Sequence, residues 1–197
     1  MQEVFDALID GYLLDKVGIS ENFLGLALSQ NLKENLVKLF EEKKLISAKT
    51  GNGNETNLNA LVRSDKIFWL DRIHENPNEN AFFDVMDAFV LFLNQTCYTG
   101  ITSYEFHYAL YEKGSFYKKH LDQFKSNASR QYTMIFYLNS DWKLDDGGEL
   151  CVYLPDFSLN ISPTNGKCVF FKSSEIEHEV LMSHAQRMSI TGWFRVD

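Results

Sequence analysis

Past residue 100 the hydrophobic pattern changes period, and this limits the fold more than any other feature of the chain. Short β-prone runs follow one another at 104–112, 115–122, 131–139, 148–155, 167–172, 178–183 and 187–196. Turn sequences separate them: Asp145-Asp146-Gly147-Gly148, Pro155-Asp156 and Pro163-Thr164-Asn165-Gly166. Many short strands at this spacing predict a sandwich or a jelly-roll barrel. Before residue 100 the apolar positions recur at helical intervals instead. Val4, Phe5, Leu8, Tyr12 and Leu13 mark a helix over 3–18, and Leu28, Leu32, Leu36, Leu39 and Phe40 mark one over 22–44. Lys43 and Lys44 stand at the end of the second, where its dipole favours cations. Phe82, Phe83, Met86, Phe89, Val90 and Leu93 mark a third, capped at Asn80 and ending near Thr96. Val62 to Leu70 reads as a strand, Thr50 to Asn59 as a turn-rich loop and 74–80 as a polar loop. The expectation is a single α+β domain over 1–197, with a mostly helical support (1–97) packed on one sheet of a β-barrel core (98–197).

Composition agrees with this and excludes several functions. At 197 residues, 45% of them apolar, the chain can fill one core but hardly two. Its 16 phenylalanines and 9 tyrosines suit bulky packing between sheets. A net charge of −8 repels nucleic acid and acidic membrane surfaces. No apolar stretch approaches the ~20 residues that span a bilayer, and the Met-Gln-Glu-Val-Phe-Asp start is acidic where a secretory signal is basic. Cys97, Cys151 and Cys168 are odd in number and lack C-x-x-C spacing, so each reads as a small buried thiol, in a reducing cytoplasm. Oligomeric state is not legible.

Chemistry concentrates in two stretches. In Tyr117-Lys118-Lys119-His120-Leu121-Asp122, His120 and Asp122 stand two apart, on one face of a strand. Alone, such a pair is common and says little. His178 supplies a second imidazole, and Arg187, Ser189, Thr191 and Trp193 share one face of the strand that follows. Two imidazoles and one carboxylate form the facial set that holds Fe(II) in non-haem oxygenases, with coordination positions left open. A buried arginine demands an anion, and no neighbouring strand offers Arg187 an inward carboxylate, so a bound dicarboxylate is the natural partner. The remaining histidines read more plainly: His107, in Phe106-His107-Tyr108, as a packed strand residue, His74 and His184 as solvated ones. Glu175, Glu177 and Glu179 read as a solvated rim.

His120-x-Asp122, His178, Arg187 and Trp193 together resemble the Fe(II)- and 2-oxoglutarate-dependent dioxygenases. The resemblance is strongest to the prolyl hydroxylases that modify hypoxia-inducible factor and their bacterial relatives. Further segments carry it: Val62-Arg63-Ser64-Asp65-Lys66-Ile67, Trp69, Tyr132 to Asn139, Asp141-Trp142, Gly147-Gly148, Leu150, and Ile190-Thr191. It runs from about residue 62 to the end. The fold it implies is a double-stranded β-helix (jelly-roll, cupin-like) with the N-terminal helices packed on one sheet. It assigns His120, Asp122 and His178 to iron and makes Arg187 catalytic as the clamp for the distal carboxylate of 2-oxoglutarate. Tyr137 would support that carboxylate, Tyr111, Leu150 and Thr191 would line the cosubstrate pocket, and Arg130 and Trp193 would touch the substrate. The segment 71–80 matches a mobile loop that closes over the substrate. The implied reaction uses Fe(II), 2-oxoglutarate and O2, with ascorbate as a reductant, to hydroxylate a prolyl residue of a protein or peptide, giving succinate and CO2.

Other readings compete. A related oxygenase could act on another side chain or a free amino acid. A catalytically silent metal- or ligand-binding adaptor barrel would carry the same fold. Catalytic zinc suits two histidines and a carboxylate, but no His-Glu-x-x-His helix exists and a hydrolase has no use for Arg187. Nucleic-acid repair enzymes of the same superfamily carry a second arginine where this chain has Trp193.

Overall fold

A computed structural model describes residues 1–48, 61–123 and 127–197; the turn-rich segment Thr50 to Asn59 lies outside them. The alternating residues of the C-terminal half build two facing antiparallel sheets. The larger takes strands β1 (Val17–Ser20), β2 (Ile46–Ser47), β3 (Lys66–Trp69), β4 (Ser103–Tyr111), β6 (Arg130–Tyr137), β9 (Cys168–Lys172) and β11 (Arg187–Arg195). Their order across the sheet is β1-β9-β6-β11-β4-β3-β2. The smaller takes β5 (Tyr117–His120), β7 (Leu150–Tyr153), β8 (Ser158–Ile161) and β10 (Glu177–Val180), in the order β5-β10-β7-β8.

Period-two alternation splits the larger sheet into two chemically different faces. Phe106, Tyr108 and Leu110 of β4, Met134 and Phe136 of β6, Phe170 of β9, and Met188, Ile190 and Phe194 of β11 point outward. There they meet the helices α1 (Gln2–Asp15), α2 (Leu26–Glu41) and α3 (Pro77–Thr96) in one core, with Phe5, Phe82, Phe89 and Leu36 fully enclosed. The opposite face, with Ala109, Tyr111, Ile135, Tyr137 and Val169, turns toward Leu150, Val152 and Val180 of the smaller sheet. So the helices buttress one face and the other is left to build the site.

Gly192 shows how tightly neighbouring strands of the larger sheet fit. It sits in the central strand β11, and a Cβ there would stand 2.1 Å from Phe106 Cδ1 and 2.3 Å from the Glu105 carbonyl oxygen. Gly192→Ala must therefore push β11 off β4. We expect it to destabilise by about 3 kcal/mol or more, the upper end of overpacking, read as a lowered urea midpoint.

Several local expectations are corrected. The first helix stops at Asp15, because Lys16 turns left-handed (φ 63°) and Val17 begins an edge strand paired with β9. The third helix begins at Pro77, not after Asn80: the Asn76 side chain accepts from the N–H groups of Asn78 and Glu79, and Pro77 fits the first helical position. The segment 71–80 is accordingly no open loop over the barrel. It is a 3-10 turn, Arg72–His74, running into α3. Arg72 binds Asp84 and Asp87, and His74 binds the buried Glu79. Strand β8 had no counterpart in the predicted runs. Its Ser-Leu-Asn-Ile alternation at a sheet edge buries only Ile161.

Candidate active site

Strand pairing brings the two sequence stretches together. In the smaller sheet β10 lies beside β5 with His178 directly opposite His120, so two imidazoles become cross-strand neighbours, ring centroids 4.3 Å apart. Asp122 follows β5. One of its oxygens lies 3.4 Å from His120 Nε2 and the other 3.5 Å from His178 Nε2. Candidate ligand atoms of the three residues all fall within 4.8 Å of one another. His178 and Asp122 are buried and His120 half-buried.

The surroundings orient these groups toward a common centre. His120 Nδ1 contacts the Lys118 carbonyl oxygen at 2.7 Å and His178 Nδ1 the Ile176 carbonyl oxygen at 3.1 Å. A carbonyl only accepts, so both rings carry their proton on Nδ1 and turn an Nε2 lone pair inward. Thr133 donates to Asp122 Oδ2 at 2.8 Å, and Ser173 backs Thr133 at 2.9 Å. Burial lowers His178 to a pKa of about 4, against the pull of Asp122. Burial alone would raise Asp122, but His178, His120 and the Thr133 hydroxyl hold its carboxyl well below the usual range. Two neutral imidazoles and one carboxylate are the donor set an Fe(II) ion requires. The residues fit the metal.

Deeper in the barrel stands Arg187, 1% exposed and among the largest fully buried side chains. Its Nε donates to the Gly148 carbonyl at 2.8 Å, and its guanidinium lies over the rings of Tyr111 (4.8 Å) and Tyr137 (5.1 Å). Gly148 has φ 65°, and a Cβ there would press on Arg187 Cδ at 3.1 Å, which gives the Gly147-Gly148 turn its physical purpose. Among the described residues no carboxylate forms an ion pair with Arg187. The Tyr137 hydroxyl is buried and makes no hydrogen bond of ordinary geometry; burial pushes its pKa up to about 12, with Arg187 opposing. A buried cation and an unpartnered hydroxyl side by side are the complement of a carboxylate. Tyr137→Phe is expected to weaken 2-oxoglutarate binding by about tenfold, one hydrogen bond to a charged group, without loss of apo-protein stability. Calorimetric titration and thermal melts check both halves.

The remaining expected residues fall at different distances from this centre. Tyr111, Leu150, Thr191 and Trp193 line the same cavity as the metal trio and Arg187. Arg130 stacks 3.4 Å over the Trp193 ring and binds Glu105 at 2.7 Å. The connection from His178 to Arg187 is not a hairpin within one sheet: β10 pairs with β5 and β7, β11 with β4 and β6, so residues 181–186 cross between the sheets. Arg187 thereby approaches the trio from the opposite wall.

Two further groups belong to the site, Arg63, to which no role was assigned, and His107, expected only as a packed strand residue. Arg63 binds Asp65 through two hydrogen bonds of 2.6 and 2.8 Å and lies 4.6 Å over the Tyr117 ring, which itself stacks on His120 at 3.6 Å. This relay fixes the plane of a metal-facing imidazole. His107 also lines the cavity. The signal for it was present, since His107, Ala109 and Tyr111 alternate onto one face of β4.

Comparison with known proteins bears directly on this geometry. Residues 106–195 match the model of the 2OG-Fe(II) oxygenase superfamily. The crystal structure of a Pseudomonas putida prolyl-4-hydroxylase is 31% identical, with 98% of this chain and 99% of that one covered at a TM-score of 0.88. The chain belongs to the 2OG-Fe(II) oxygenases, in their prolyl hydroxylase branch. Its double-stranded β-helix recurs at the same TM-score, 0.88, in a Trichoplax adhaerens prolyl hydroxylase in complex with a hypoxia-inducible factor peptide fragment. That chain is 23% identical, with 98% of this chain and 90% of that one covered. Egl nine homolog 1 of Homo sapiens is 26% identical over 199 residues; the match takes in 92% of this chain but 44% of the human protein. The oxygenase thus spans less than half the length of that relative. As a 2OG-Fe(II) oxygenase it takes Fe(II) and 2-oxoglutarate, with O2 as co-substrate.

Proposed function

We propose that this oxygenase hydroxylates a prolyl residue of a protein or peptide. The observation that carries the reading is the pairing, inside one barrel, of the His120–Asp122–His178 trio with a buried Arg187 that has no carboxylate partner among the described residues. The 31% identity to a bacterial prolyl-4-hydroxylase over nearly the whole of both chains supports the choice of proline. The peptide fragment bound by the Trichoplax prolyl hydroxylase supports a peptide as the carrier of that proline.

In this reading His120, Asp122 and His178 hold Fe(II). Arg187 and Tyr137 fix the distal carboxylate of 2-oxoglutarate, and Tyr111, Leu150 and Thr191 wall its two methylenes. Bound iron, 2-oxoglutarate and O2 supply the oxidative chemistry: one oxygen atom goes to the substrate C–H bond, the other to succinate as CO2 leaves. The protein's own work is orientation and exclusion of water. Thr133 and the Nδ1–carbonyl contacts keep three donors aimed at one point. Arg187 and Tyr137 set the reach of the cosubstrate. Trp193 lines the cavity beside the trio with Arg130 stacked on it, and the pair marks the side on which substrate enters. Cys151 and Cys168 are buried thiols as expected, whereas Cys97, at the C-terminal cap of α3, is exposed; all three are free, which fits a reducing cytoplasm.

Host proteins incubated with the holoenzyme, 2-oxoglutarate and O2 should gain the mass of one oxygen atom on proline, in step with succinate release. Gain on another residue type would replace prolyl by that residue. Succinate formed without any peptide product would move the activity to a small molecule.

A further inference from the structure

Among the described residues, His107 is the one polar side chain lining the cavity that is left without a task in the reading above. It lies in the middle of β4, opposite Thr191 of β11 and Trp69 of β3. It is 2% exposed. Its ring is held between two indoles, with centroids 5.0 Å from Trp69 and 5.4 Å from Trp193. Its Nδ1 is buried with no hydrogen-bond partner. Burial, helped by the charges of Arg63 and Arg130 and opposed by Asp122, keeps the ring neutral. A neutral imidazole carries one N–H donor and one acceptor, and leaving either unmet in the interior is unfavourable by about 1–3 kcal/mol. Packing alone would be served better by leucine or methionine, which fill such a slot with no polar atom.

The cosubstrate does not answer this need. Its distal carboxylate belongs to Arg187 and Tyr137 and its oxo-acid end to the metal, so only two methylenes lie between. Tyr111, beside Arg187, is four residues from His107, about 13 Å along the strand. In the prolyl reading substrate comes from the other side, where Trp69 is 41% exposed and Arg130 covers Trp193. A prolyl residue brings a backbone carbonyl but no N–H, so its only backbone demand is a donor.

We propose that His107 positions the substrate by donating a hydrogen bond to the backbone carbonyl of the residue presented at the metal trio. The proposal rests on the prolyl reading above. Trp69 and Trp193 hold the imidazole so that this bond forms without loss of side-chain freedom.

The test uses holoenzyme and a prolyl peptide that the wild type hydroxylates, with His107→Leu, His107→Asn and His107→Gln. Asparagine returns a donor near the Nδ1 position and glutamine one near Nε2. The peptide KM should rise about tenfold in His107→Leu, one neutral hydrogen bond, while the KM for 2-oxoglutarate changes less than about twofold. One of the two amide variants should recover most of the loss. Peptide binding to the Mn(II)-loaded, non-turning-over protein, followed by Trp69 and Trp193 fluorescence, should show the same order. An analogue with the prolyl carbonyl replaced by a methylene should bind wild type and His107→Leu alike, which isolates the pair. Equal KM for the carbonyl peptide in wild type and His107→Leu overturns the proposal and leaves His107 a packing residue. So does a loss falling on 2-oxoglutarate, or a wild type that discriminates no carbonyl from methylene. Failure of the prolyl reading has a different signature: wild type hydroxylates no prolyl peptide, and the proposal falls with it.

Discussion

Asp122→Ala is expected to fold, to bind no Fe(II) and to form no succinate. Asp122 is the only carboxylate of the trio, and its two oxygens face the two histidines at 3.4 and 3.5 Å. Without it the cluster keeps two neutral nitrogens, which hold a divalent ion too weakly to survive dilution. The fold tolerates the change, because Asp122 lines the cavity and Thr133 keeps its hydrogen bond to Ser173. Thermal melts separate the two effects. At a metal concentration a thousandfold above Kd the wild type gains about 4 kcal/mol from binding, whereas Asp122→Ala should gain none while melting as the metal-free wild type does. Asp122→Asn keeps an acceptor for Thr133 at the same place and loses only the charge, so iron binding there should fall nearly as far. Iron-dependent succinate formation retained in Asp122→Ala would remove Asp122 from the metal site.

Arg187→Met is the second large effect. It removes a buried guanidinium whose polar contacts in the structure are the Gly148 carbonyl, at 2.8 Å, and a long approach to the Ser189 hydroxyl, at 3.4 Å. Its charge therefore has no counter-ion among the described residues until a ligand brings one. The dissociation constant for 2-oxoglutarate should rise a hundredfold or more, about 2.7 kcal/mol, the strength of a desolvated charge-assisted pair. Fe(II) affinity should change less than about threefold, because Arg187 approaches from the larger sheet and the metal trio from the smaller one. Titrations of metal and of 2-oxoglutarate with the Mn(II) form resolve the two. Equal losses for both ligands would give Arg187 a structural role.

Much of the chain's chemistry was written locally. The alternation that places Arg187, Ser189, Thr191 and Trp193 on one face of β11, and Met188, Ile190 and Phe194 on the other, is a property of any strand. It needed only the composition of that stretch. The same holds for the three amphipathic helices, whose apolar stripes lie on the outer face of the larger sheet as expected. His107 marks the boundary of this kind of reading. Its position on the Tyr111 face was legible, yet nothing in Phe106-His107-Tyr108 announces two indoles, because Trp69 and Trp193 arrive from β3 and β11. Edges were legible least: Val17 to Ser20 continues a helical spacing as readily as it forms a strand, and only the free edge of β9 selects the second.

By itself the sequence determined which residues carry donors and which face of each strand they occupy, since side-chain alternation is fixed by backbone geometry within the strand. The tertiary structure alone decided that β10 and β11, though consecutive, belong to opposite sheets. It also set His178 directly across from His120. Hydrogen-bond partners between strands are chosen by the burial of the whole barrel, and no short stretch of chain contains that information.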